Sequence, residues 1–94
     1  MKLRVTRVAL ADLRKAYGYI AQYDRAAADA VVDRIEAALQ RLLDFPQSGR
    51  PGRLPDTREL VVPRTPFVVP YRVVDDVVTI LAVMHGRRAW PSSL

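Results

Sequence analysis

His85 is the only histidine of the chain, and Gly86, Arg87, Arg88 and the only tryptophan, Trp90, follow within five residues. An imidazole exchanges a proton near neutral pH, and guanidinium forks grip phosphates and carboxylates in a planar, bidentate way. Together these types suit anion binding, or stabilisation of a developing negative charge with a general acid or base beside it. The competing reading makes Trp90-Pro91 a hydrophobic plug at the sheet edge, leaves Arg87 and Arg88 solvated, and makes His85 a satisfied core residue. Two further arginines, Arg58 and Arg72, fall near strand ends expected to approach the same region. A carboxylate partner for His85 is not obvious, since only Asp56, Glu59, Asp75 and Asp76 lie outside the helical half.

Other chemistries are excluded by composition. The chain lacks cysteine, so it has no disulfide, thiolate metal site or cysteine nucleophile, and one histidine cannot build a histidine-based metal site. No metal and no cofactor are expected. The formal charge is +5, and all but Lys2 and Lys15 of its 15 basic residues are arginine, which favours an anionic partner, nucleic acid or an acidic protein segment. A solubility role is the alternative for such a charge. No apolar run reaches the roughly 18 residues of a membrane span, and the N-terminus has no signal-peptide core, so no membrane partner and a cytoplasmic location are expected.

With 94 residues, half of them hydrophobic, residues 1–94 are expected to form one domain around one core. Lys2 to Thr6 alternate polar and apolar as a short strand, and Thr6 can cap the helix after it. Ala9, Leu13, Ala16, Tyr17 and Ile20 lie on one face of a helix from about Val8 to Tyr23. Gly18 in that helix points to a close helix contact, and Tyr17, Tyr19 and Tyr23 read as core and helix-interface packing, with an aromatic stacking patch as the alternative. Asp24 is placed to cap a second helix running to about Asp44, whose stripe is Ala27, Val31, Ile35, Ala38, Leu39 and Leu42. The small residues from Ala26 to Ala30 let the helices pair as a hairpin. Phe45 to Pro55, with three prolines and two glycines, reads as one long irregular segment.

The remaining chain reads as three strands, Arg58 to Val62, Phe67 to Val74 and Val77 to His85, with turns at Pro63 to Pro66 and Asp75-Asp76. In the last strand strict alternation puts Val78, Ile80, Ala82 and Met84 on one face and Val77, Thr79, Leu81, Val83 and His85 on the other. Pro70, in the middle of its strand, requires a bulge there or an amide position facing an unpaired side. The expected fold is α+β: an N-terminal strand and an antiparallel helical hairpin packed on one face of a mainly antiparallel sheet that ends in a three-stranded meander. Two helices cover one face only, so the other needs the C-terminal tail, a second copy or a partner.

The order of these elements resembles the RelE/ParE superfamily of toxins from bacterial type II toxin–antitoxin modules. The resemblance spans the chain: the opening strand, Ala11-Asp12-Leu13 and Tyr19-Ile20, Pro46 with Ser48-Gly49-Arg50, Arg58-Glu59-Leu60-Val61, Tyr71-Arg72-Val73, and His85-Gly86-Arg87-Arg88. It implies a toxin held in a hetero-oligomer by a cognate antitoxin whose amphipathic, acidic C-terminal segment wraps around it. Leu81, Val83, Arg50 and Arg53 are the candidate antitoxin contacts.

Two activities occur in the superfamily. RelE-like members cut messenger RNA on the ribosome with basic residues and usually a tail tyrosine; ParE-like members poison DNA gyrase without hydrolysis. For a nuclease the candidate catalytic residues are Arg58, His85 and Arg88. The nuclease pattern transfers poorly, because Leu60 replaces a second base after Arg58, Val68 stands where an arginine is implied, and no tyrosine follows Arg88. The resemblance therefore implies a ParE-like gyrase inhibitor, with Arg58, Arg72, His85, Arg87, Arg88 and Trp90 as candidate target contacts. The alternatives are a ribosome-dependent endoribonuclease and a small basic nucleic-acid-binding domain.

Overall fold

The computed structural model describes residues 1–87; the expectations for Arg88, Trp90 and the tail lie outside the described residues. Strand β1 (Lys2–Val5) leads into helices α1 (Arg7–Ala21) and α2 (Arg25–Asp44), then β2 (Arg50–Pro51), β3 (Arg58–Val61), β4 (Phe67–Val74), β5 (Val77–Ile80) and β6 (Met84–His85). The sheet order is β1-β5-β4-β3-β2, with β6 continuing beside β4. Among the described residues only β1 and β5 run parallel. This is the expected α+β arrangement. The loop after α2 differs from expectation, since Arg50 and Pro51 pair with Glu59 and Arg58 as a further short strand.

Both helix starts are set by the residues expected to cap them. Thr6 Oγ1 accepts the amide of Ala9 at 3.1 Å, and Asp24 Oδ1 accepts that of Ala27 at 3.0 Å. The inner faces deliver Ala9, Ala28, Ile35, Ala38, Leu39 and Leu42 to the core, with Leu13, Ala16 and Ile20 packed at its margin. The tight turn between β4 and β5 puts Asp75 and Asp76 at φ of 50° and 65°, the left-handed pair that a two-residue hairpin requires. Tyr71 is wholly buried; its hydroxyl donates to the Pro46 carbonyl at 2.8 Å and accepts the Gly49 amide at 2.9 Å. A side chain at Gly49 would place Cβ only 2.6 Å from the Tyr71 hydroxyl, so glycine is what lets the loop close onto the sheet.

Three local expectations are corrected. A Cβ at Gly18 would meet nothing within 4 Å, so no close helix contact explains that glycine. Tyr19 and Tyr23 are 62% and 77% exposed and form an edge-to-face pair on the surface, one helical turn apart, while Tyr17 joins the helices through a 2.9 Å bond to Asp29. The expected last strand, Val77 to His85, is interrupted at residues 81–83.

Pro70 accounts for the interruption. Leu81 donates its amide to the Pro70 carbonyl at 3.0 Å, so the two form a pair whose second bond would run from the Pro70 nitrogen to the Leu81 carbonyl. Proline has no hydrogen there. The Thr6 hydroxyl supplies the missing donor at 3.1 Å. Beyond this point Val68 pairs with Met84 and Phe67 with His85, so Ala82 and Val83 both stand opposite Val69 as a bulge. The Val83 amide is taken by Asp12 Oδ2 at 3.0 Å. Thus α1 and its cap supply both polar partners of the bulge.

The bulge reverses the expected facing of the segment. Val83 is buried in the core, and His85, opposite Phe67, shares the helix side with Val78, Ile80 and Tyr71. The outer face is also less open than expected, because Val68 and Pro70 at its centre are buried. No described helix is long and apolar enough to cross a membrane.

Thr6→Ala removes the helix cap and leaves the Leu81 carbonyl without its donor, and should cost about 1–3 kcal/mol in urea unfolding. Thr6→Ser should recover most of that loss. An unchanged midpoint in Thr6→Ala would show that the hydroxyl does not tie α1 to the bulge.

Candidate functional site

Among the described residues, Arg58, Arg72 and His85 do not converge on one place. Arg58 and Tyr71 are register partners on the helix side, whereas Arg72, paired with Thr79, projects from the opposite face. Arg58 and His85 share a face but flank β4 on opposite sides and four residues apart along it, which separates their backbones by roughly 16 Å. Arg58 also has internal work. Its Nη1 donates to the carbonyls of Gly49 at 2.8 Å and Gln47 at 3.3 Å, bracing the loop that Tyr71 clamps.

The two loop arginines are likewise engaged. Glu59, only 3% exposed, accepts Arg50 Nε and Nη2 on Oε1 at 3.2 and 3.0 Å and the Arg53 amide on Oε2 at 2.8 Å. Arg53 Nε lies 3.4 Å from the same oxygen. Burial acts to raise the Glu59 pKa, but the Arg53 amide, the Arg50 fork and the charges of both arginines outweigh it and hold the carboxyl below its ordinary value. Arg50 and Arg53 keep about half of their side chains exposed, 54% and 48%, yet their heads point at Glu59. Of the other expected antitoxin contacts, Leu81 is half-buried at the bulge and Val83 is buried in the core, with only a small part of its side chain reaching the surface concavities beside α1.

His85 sits at the rim of a cavity of about 530 Å³ between α1 and the ends of β4 and β6. Its ring meets Phe67 edge-on, with centroids 5.9 Å apart. The Arg87 amide donates to His85 Nδ1 at 3.2 Å, which in the neutral ring leaves the proton on Nε2. The outward nitrogen is then a hydrogen-bond donor rather than a base. Ala16, Ile20, Phe67 and Val83 form an apolar floor, and Lys15, Tyr19 and Arg87 stand at the edge. Lys15 was not among the residues the sequence picked out, and Tyr19 was read as packing with an aromatic stacking patch as the alternative. Their signal was the spacing of Asp12, Ala16, Tyr19 and Ile20 along one side of α1, obscured because the tyrosines read as packing.

A second concavity, about 480 Å³, lies on the other side of α1, with Val83 as a wall common to both. It is an apolar groove floored by Leu3, Leu13, Leu39 and Ile80, and Val5 and Leu10 are exposed along it. Its polar residues are Asp33, Glu36 and Gln40. Exposed apolar surface is thus found in this groove between the helices and β1 as well as at Val61 and Val74 on the outer face of the meander.

Residues 3–90 match the family described as ParE toxin of type II toxin-antitoxin system, parDE. The chain belongs to this family. It is similar to a protein of Sinorhizobium fredii named "Putative toxin Y4kP", 45% identical over 93 residues that cover 99% of this chain and 96% of that protein. It is also similar to a chain of the chromosomal ParDE system of P. aeruginosa, with a TM-score of 0.80 and 32% identity over 90% of this chain and 95% of that one. A chain of the intact E. coli RelBE toxin–antitoxin complex has the same fold, with a TM-score of 0.66, 20% identity and coverage of 93% and 98%. This ParE-family chain is thus a toxin of a type II toxin–antitoxin system, and an antitoxin is its partner.

Because the folded Glu59 carboxyl has a lowered pKa, it adds stability above its ordinary value of 4.5 and loses that contribution as the pH falls through the folded value. Glu59→Gln should cost about 1–3 kcal/mol at pH 7 and flatten the acid limb of stability against pH measured by urea unfolding. Equal slopes for both proteins below pH 4.5 would remove Glu59 as the acid-sensitive group.

Proposed function

We propose that this toxin blocks DNA replication by ParE-like inhibition of DNA gyrase, without hydrolysing RNA or DNA, and that its antitoxin seats an apolar helix face in the groove between α1, α2 and β1. The observation that carries the first part is the separation of the two described nuclease candidates, Arg58 and His85. Arg58 braces the loop about 16 Å from His85, and Nε2 of His85 is a donor when the ring is neutral. Acid–base cleavage needs its groups within hydrogen-bond reach of one phosphate. The apolar Val68, where the resemblance implies an arginine, adds to this. For the antitoxin, Leu3, Val5, Leu10, Leu13 and Leu39 offer an apolar bed, and Asp33 and Glu36 at the groove favour basic side chains on the stretch that docks there, in contrast to the acidic segment that the resemblance implies.

Purified toxin should abolish gyrase supercoiling at micromolar concentration, and equimolar antitoxin should restore it. In cells, induction should give DNA breaks with intact translated messages within minutes. Rapid cleavage of translated messages over undamaged DNA would replace this reading with the ribosome-dependent nuclease.

A further inference from the structure

We infer that the cavity at His85, on the side of α1 away from the apolar groove, is a second protein-binding site that takes an acidic segment of the toxin's target, a hydrophobic side chain flanked by a carboxylate. The inference rests on the reading of the chain as a toxin with a protein target, but not on which target that is.

The chemistry of the walls selects the ligand. At the rim, Lys15 and Arg87 are exposed, and among the described residues no ion pair engages either one. With Nδ1 of His85 accepting the Arg87 amide, its Nε2 presents a donor. The single carboxylate in the lining, Asp12, already accepts the Val83 amide through Oδ2. A rim made of donors and positive charge calls for an anion. Below it Ala16, Ile20, Phe67 and Val83 provide no polar group, so the anion must carry an apolar body.

This floor discriminates between a peptide and a nucleotide. A nucleobase has acceptors and donors around its edge, and burying them against Ile20, Phe67 and Val83 would leave them unpaired. A leucine or phenylalanine side chain loses nothing there, and a neighbouring Asp or Glu reaches Lys15 and Arg87. The exposed Tyr19–Tyr23 pair, 5.7 Å between ring centroids, extends the apolar wall outward along α1 and supplies the rigid aromatic surface common at protein interfaces. The antitoxin groove differs in sign. Its carboxylates Asp33 and Glu36 favour basic residues, and α1 stands between the two concavities. One partner can therefore occupy each side.

The test uses the full chain. Isotope-labelled toxin is titrated with N-acetyl-L-phenylalanine, and separately with its uncharged amide and with thymidine monophosphate. The acid should shift the resonances of Ala16, Val83 and His85, the amide should bind about tenfold more weakly or not at all, and Lys15→Glu with Arg87→Glu should abolish the shifts. In cells that double variant should need about tenfold or more toxin for the same growth inhibition, while its affinity for purified antitoxin stays within about threefold of wild type. Growth inhibition reports target engagement whatever the target, so a negative gyrase assay leaves this test intact. Unchanged toxicity of the double variant would overturn the proposal. So would an antitoxin affinity that falls in step with toxicity, which would give the cavity to the antitoxin. Shifts from thymidine monophosphate as large as those from the acid would give it to a nucleic acid.

Discussion

One missing hydrogen organises the meeting of helix and sheet. Pro70 cannot complete its pair with Leu81, so the ladder between β4 and the last strand fails at that point and resumes one residue out of step. The Thr6 hydroxyl donates in its place while its lone pair caps α1, and Asp12 two turns later takes the amide of Val83. A buried polar group left unpaired costs about 1–3 kcal/mol, so these contacts fix where α1 crosses the sheet. They also decide that His85 emerges on the helix side beside Phe67.

The charge of the chain is divided by the same architecture. Arg50, Arg53 and Arg58 are drawn inward to Glu59 and to the carbonyls of the loop after α2, and Tyr71 holds that loop from below. These residues stabilise a segment rich in proline and glycine that has only a two-residue strand of its own. At the His85 cavity the positive charge that can meet a ligand is that of Lys15 and Arg87. A basic composition is thus not one basic surface. Part of it is a structural counterweight to a buried carboxylate.

Helix α1 separates two concavities of different character. On one side aliphatic residues of both helices and β1 leave an apolar groove with carboxylates at its edge; on the other, a smaller apolar floor is ringed by donors. A toxin has to be recognised by its antitoxin and, when released, by its target. Two faces of one helix, with opposite charge preference, allow these contacts to be distinct. On the proposed reading, neutralisation then acts by steric cover or by shifting α1, not by competition for the same side chains.

Apart from the short strand β2 and the break between β5 and β6, the element order, both helix caps, most of the core stripe of α2 and the Asp75-Asp76 turn are legible in the sequence because each depends on spacing or on a residue's own backbone preference. The family resemblance rests on the same local signals in order. Pro70 announces that its strand must be broken or unpaired, but not which neighbour would adjust. That answer belongs to the tertiary structure, since the compensating donor Thr6 is 75 residues from Leu81. For the same reason the faces of Val83 and His85, the engagement of Arg58 and the exposure of Tyr19 escape periodicity. A one-residue bulge reverses every side chain beyond it, and pairing across sequence distance decides which charges remain free.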